Sequence, residues 1–125
     1  MKTIRTIFLP WVVCLALFAT ANAQSDSSKS QIRHVEIVTF KPGTSDSSKH
    51  MVDKSYRQAA DAFPMVKAFE WGWDDNDRSQ MKHIYVTTFN SKGDLTTYNN
   101  SPQHQAATKK ASIQNVTSID YPVNK

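Results

Sequence analysis

The chain has 125 residues, with 15 Lys and Arg against 11 Asp and Glu, for a formal charge of +4. That length builds one domain with a modest core and leaves no room for two. A single cysteine excludes a disulfide framework, and the basic residues are scattered among aspartates, without the stripe that would mark nucleic-acid binding.

The N-terminus reads as a secretory signal peptide over residues 1–23. Lys2 and Arg5 form a positive start, Ile7 to Phe18 is apolar apart from Pro10, and Ala21-Asn22-Ala23 supplies a small-x-small cleavage pattern. The apolar run is about a dozen residues, whereas a spanning helix needs roughly 20. Cleavage after Ala23 leaves 102 of the 125 residues, removes the lone Cys14 and lowers the charge from +4 to +2. The expectation is a secreted or periplasmic protein with no membrane attachment after cleavage. Without disulfides, its fold rests on its core and on a partner subunit. Residues 24–30 (QSDSSKS) offer nothing to bury and read as a flexible leader, with one domain over 31–125.

Ile32 to Phe40 alternates and is rich in β-branched residues, which predicts a strand; Lys41-Pro42-Gly43 breaks it. Thr44 or Ser45 caps a helix with Asp46 in its first turn, and Val52, Tyr56, Ala59 and Phe63 recur at helical spacing until Pro64. Val66 to Asp74 is a second strand, residues 74–79 a polar turn, and Lys82 to Phe89 a third strand. Ser91 with Asp94 opens a short helix through Leu95 and Tyr98. Ser101-Pro102 restarts a helix carrying Ala107 and Ala111, and Val116 to Tyr121 is a last strand stopped by Pro122.

The order is β-α-β-β-α-β, with the second helix broken near Asn100. It predicts an α+β, ferredoxin-like protomer with both helices on one face of an antiparallel sheet. Val35 and Ile37 point one way on the first strand; His34, Glu36, Val38 and Phe40 point the other, joined by Trp71, Trp73 and Tyr85. That aromatic set is too large to leave wet, so two sheets are expected to pack face to face in a homodimer.

Several runs then match a family pattern. They are Arg33-His34-Val35 through Phe40-Lys41-Pro42-Gly43-Thr44, Phe69-Glu70-Trp71-Gly72, His83 with Thr88-Phe89, Tyr98, Ser101-Pro102-Gln103-His104-Gln105, and Ile119-Asp120-Tyr121. In order and spacing these resemble the stress-responsive A/B barrel (Dabb) family over roughly Gln31 to Tyr121. The resemblance implies ferredoxin-like protomers paired into a dimeric α/β barrel. It also implies a stress-response role for many members and catalysis for one plant branch, the polyketide cyclase that makes olivetolic acid. Carried over residue by residue, that branch's pocket falls on His34, Tyr56, His83 and Tyr98, with His104 as the catalytic histidine. Met81 departs from it, standing where the cyclase has tyrosine just before the strand-three histidine.

His104 lies in the first turn of the helix begun by Ser101-Pro102 and, beside Tyr98, can take a proton next to a carbonyl while the phenol hydrogen-bonds the enolate. His34, Tyr56, His83 and Trp71 are the ligand-binding candidates. His34 and His83 have no third ligand at a recognisable spacing, so no metal is expected, and no cofactor motif is present in the sequence. Two readings remain open. One is a stress-response module holding a small apolar or aromatic molecule in its barrel cavity. The other is a cofactor-free enzyme, with cyclase-like aldol chemistry or monooxygenation, that uses His104 with Tyr98.

Overall fold

The computed structural model describes residues 30–124, so the expected signal peptide over 1–23 and nearly all of the expected leader lie outside the described residues. The elements run β1 (Ile32–Phe40), α1 (Asp46–Asp61), β2 (Val66–Trp73), β3 (Lys82–Phe89), α2 (Lys92–Asn99), α3 (Pro102–Thr108) and β4 (Ile113–Pro122). The sheet has the order β2-β3-β1-β4 with every neighbouring pair antiparallel, the ferredoxin-like arrangement the sequence predicts.

Local chemistry accounts for the boundaries. Gly43 takes a left-handed conformation, φ 79°, in the turn that leaves β1, where a side chain would be strained. Ser45 caps α1 by accepting the Ser48 backbone N–H at 3.2 Å. Ser91 caps α2 and Ser101 caps α3, each accepting a backbone N–H three residues on, at 3.1 and 3.3 Å. Pro102 begins α3, where no N–H is needed. At eight and seven residues, α2 and α3 are too short to persist alone. They are held by the burial of Leu95, Tyr98, His104 and Ala107.

Three expectations change. The sheet does not close into a barrel: β2 and β4 are opposite edges with two strands between them, and no ladder joins them. Second, β4 starts at Ile113, because Phe40 pairs with Ile113 across a register shift at Thr39/Phe40; Ala111 consequently lies beyond α3. Third, the alternation on β1 is as read, but the aromatic set lies beneath the helices. Phe40 and Tyr85 are buried with Val38, Val52, Tyr56 and Ala107, and Trp71 packs against that cluster. The helices' own apolar faces need large partners, and alternation alone does not say which sheet face they cover. The uncovered face instead carries the aligned rows Ile119–Val35–Val86 and Thr117–Ile37–Ile84.

The cap at Ser101 decides where α3 restarts, so Ser101→Ala should lower stability by about 1 kcal/mol in urea unfolding. An unchanged midpoint would mean that the packing of Tyr98 and Ala107 alone sets the restart.

Candidate active site

The helix-covered side of β1 reads Ile32, His34, Glu36, Val38, Phe40, and all five are buried. A carboxylate on such a face must be paired, because an isolated buried charge is prohibitively costly. Glu36, 2% exposed, is the centre of a network. Its Oε2 accepts the His104 Nε2 hydrogen bond at 3.0 Å, and His34 Nε2 lies 3.3 Å from the same oxygen. On the other side, the Tyr56 hydroxyl donates weakly to Oε1 at 3.5 Å. His34 in turn donates Nδ1–H to Asp120 Oδ1 at 2.5 Å, an approach set by the register that places Asp120 opposite His34.

Four elements build the site. β1 supplies His34 and Glu36 two residues apart on one face, α1 supplies Tyr56, α2 ends with Tyr98, and the α3 start supplies His104. Tyr98 and His104 rings are 4.5 Å apart, and His104 lies 5.8 Å from His34 and 6.2 Å from Tyr56. Four of the six sequence-derived candidates therefore converge. His83 and Trp71 do not join them. The packing order runs His104, Tyr56, Tyr85, Trp71, with Tyr56 and Tyr85 stacked at 3.9 Å, and His83 sits beyond that stack against Trp71.

The electrostatics follow from the contacts. Burial pushes the Glu36 carboxyl up, but the hydrogen bonds and charges of His104 and His34 outweigh it and hold the group at about 2. Burial likewise opposes charge on His34, yet Glu36 and Asp120 raise it above the usual imidazole value. His34 thus sits between two carboxylates that favour its protonated form. Burial, then the Glu36 charge, raises the Tyr98 phenol, so it stays protonated and can only donate or accept hydrogen bonds. Thr87 lies near Tyr98, but neither hydroxyl meets a partner in hydrogen-bonding geometry. His104 Nδ1 is also buried and without a partner.

Glu36 holds the His104 ring directly. A carboxylate only accepts, so it fixes the proton on Nε2 and leaves the Nδ1 lone pair free beside Tyr98. The sequence reading found no third metal ligand for a His34–His83 pair. The structure groups His34 instead with Glu36 and His104, three donors within 4.8 Å of one another. Their contacts are those of a carboxylate hydrogen-bonded or ion-paired with two imidazoles, which accounts for the geometry as it stands.

Glu36 and Asp120 are the residues sequence reasoning passed over. Glu36 carried a usable signal, a charge in the middle of an otherwise core-facing alternation. Asp120 carried none, since its approach to His34 depends on strand pairing.

Because its value is depressed from 4.5 to about 2, Glu36 stabilises the fold fully above pH 4.5, and the contribution disappears as pH falls towards 2. Its size is on the order of 3 kcal/mol. His34, being raised, contributes below its ordinary value of 6.5 and loses that contribution as pH climbs through the raised one. Glu36→Gln should therefore flatten the acid limb of the stability–pH curve measured by urea unfolding. Parallel curves for the two proteins would contradict the pairing.

Comparison with known proteins places the chain in a family. The family described as Stress responsive A/B Barrel Domain (Dabb) matches residues 32–123. A stress-response A/B barrel domain-containing protein of Arabidopsis thaliana is 31% identical, over 77% of this chain and 93% of its own. Among solved structures, a hydroxynitrile lyase from Passiflora edulis superposes with TM-score 0.66 at 22% identity, covering 78% of this chain and 96% of that one. A dimeric ferredoxin-like protein of unknown function from Thermobifida fusca does so with TM-score 0.64 at 15% identity, covering 75% and 92%. With a family match spanning β1 to β4, the chain belongs to the Dabb family.

Proposed function

We propose that the chain is a cofactor-free acid–base enzyme acting on a small carbonyl compound or its adduct, with His104 as base and Tyr98 as hydrogen-bond donor. The observation that carries this reading is the pair of buried, unpartnered polar atoms, His104 Nδ1 and the Tyr98 hydroxyl, on rings 4.5 Å apart. Buried polar atoms without partners are uncommon in folded proteins, and each calls for an explanation such as a catalytic role or a bound water or ion.

The chemistry follows from the orientation. His104 Nδ1 takes a proton from carbon beside a carbonyl, or from the hydroxyl of an adduct whose carbon–carbon bond then breaks. Glu36 holds Nε2–H and stabilises the imidazolium that forms, as the carboxylate does in carboxylate–histidine dyads. Tyr98 donates to the oxygen that gains charge. The proton returns from Nδ1 to carbon or to the leaving group, so the dyad ends as it began. His34, held by Asp120, offsets one of the two carboxylate charges and keeps the site from repelling an anionic intermediate. The Passiflora edulis protein of this fold is a lyase, so the architecture accommodates catalysis. The competing reading, an apolar-ligand module without turnover, leaves those two buried atoms unexplained.

The enzyme reading extends to the chain's context. Residues 1–23 are a secretory signal, residues 31–125 are the functional domain, and the mature protein works as a homodimer. The dimer reading is supported by the uncovered sheet face, where Val35, Ile37, Ile84, Val86 and Ile119 line adjacent strands and Ile119 is half exposed. The Thermobifida fusca protein of this fold is described as dimeric.

His104→Ala should lower turnover by roughly 100-fold or more, and Tyr98→Phe by about 100-fold. Both should be assayed on a panel of β-keto, polyketide-like and cyanohydrin substrates, with folding checked by circular dichroism. If the parent turns over none of the panel but binds apolar molecules, and His104→Ala binds them equally, the binding-module reading replaces this one. Light scattering should report twice the chain mass for the parent and a monomer for Ile37→Glu; a folded monomeric parent would remove the dimer from the account.

A further inference from the structure

A second buried carboxylate–imidazole pair stands beyond the Tyr56–Tyr85 stack. Asp53 Oδ1, on α1, accepts both His83 Nδ1–H at 2.7 Å and the Tyr85 hydroxyl at 2.6 Å. Both members are buried, and Asp53 Oδ2 has no hydrogen-bond partner, with His50 Nδ1 3.5 Å away. The two stacked phenols divide their service. Tyr56 faces Glu36, Tyr85 faces Asp53, and the aromatic pair separates the two networks.

Unlike the Glu36 network, this pair opens outwards. One edge of His83 lines a cleft of about 110 Å³ with Trp71, Trp73, Lys49, His50 and Gln80. The two indoles meet at 61° and Trp71 tilts over His83, with ring centres 5.8 Å apart. That volume is in the range of a single aromatic ring, the class of the ~150 Å³ cavity that accepts benzene. Asp53 holds the proton on His83 Nδ1, so Nε2 presents an acceptor lone pair. Lys49, almost fully buried, is tied to Asp46 Oδ1 at 3.3 Å and the Ser79 carbonyl at 3.2 Å. Its fixed charge supplies positive potential while most of its donors are occupied.

We propose that this cleft is a second ligand site, separate from Tyr98 and His104, that binds a monocyclic phenol. The ring packs on Trp71 and Trp73, and its hydroxyl donates to His83 Nε2. The same geometry selects against close analogues. A ring without a hydroxyl leaves Nε2 unsatisfied, and an aryl carboxylate presents lone pairs to a lone pair, with a lysine that is already paired.

The test uses the full chain and 4-methylphenol, which keeps its proton near neutral pH, followed by tryptophan fluorescence and titration calorimetry, with p-xylene and 4-methylbenzoate as comparators. 4-Methylphenol should bind once per chain, and each comparator about tenfold more weakly, the scale of one lost buried hydrogen bond. His83→Gln and Trp73→Leu should each weaken 4-methylphenol by about tenfold, whereas His104→Ala should leave its affinity unchanged. Trp73 is 48% exposed, so Trp73→Leu carries the test if His83→Gln fails to fold. Absent binding, equal affinity for p-xylene, indifference to Trp73→Leu, or loss in His104→Ala would each overturn the proposal. The last would assign phenol binding to the Tyr98–His104 site and leave the acid–base reading standing.

Discussion

The ionised side chain of Glu36 sits in the middle of the central strand, under the helices, where water cannot reach it. Its charge has to be met by protein groups: His34 two residues away on the same strand, Tyr56 from α1 and His104 from α3. Removing one partner of a buried charge pair costs far more than the pair contributes, because the other charge stays behind. That asymmetry makes the docking of α3, a helix too short to persist alone, dependent on one carboxylate.

The same constraint underlies the proposed chemistry. A histidine whose Nε2 is committed to a carboxylate has its tautomer fixed and its Nδ1 available, and here that nitrogen lies beside a protonated phenol. The elements carrying both groups, α2 and α3, are the shortest helices of the fold. Fold alone would not distinguish an enzyme from a binding module; the enzyme proposal rests instead on the unpartnered atoms of Tyr98 and His104.

Much of this was legible in the sequence, and the failures are instructive. The strands, the capped helices and the break at Asn100 followed from alternation, capping serines and Pro102, all local signals. His34, Tyr56, Tyr98 and His104 were brought to one site by resemblance, and the structure does place them together. The same resemblance put His83 with them, and Trp71 stood beside it as a ligand-binding candidate, although the Tyr56–Tyr85 stack stands between. Local pattern could not reveal that barrier, because it forms between α1 and β3. It likewise showed two faces on β1 without saying which one the helices cover, so the aromatic residues were assigned to the open face. Closure of the sheet was also expected and is not found: β2 and β4 remain edges. Glu36 was seen on the His34 face but given no role, and Asp120 and Asp53 become meaningful only through register and helix docking.

The account's central claim is that Glu36 fixes the proton of His104 on Nε2 and leaves Nδ1 as the free base. Long-range ¹H–¹⁵N correlation spectra of the histidine rings, recorded near neutral pH on the parent and on Glu36→Gln, read this directly. The account predicts a single Nε2–H tautomer for His104 in the parent and a mixture of tautomers in the variant. A proton on Nδ1 in the parent, or a tautomer that Glu36→Gln leaves unchanged, would contradict it.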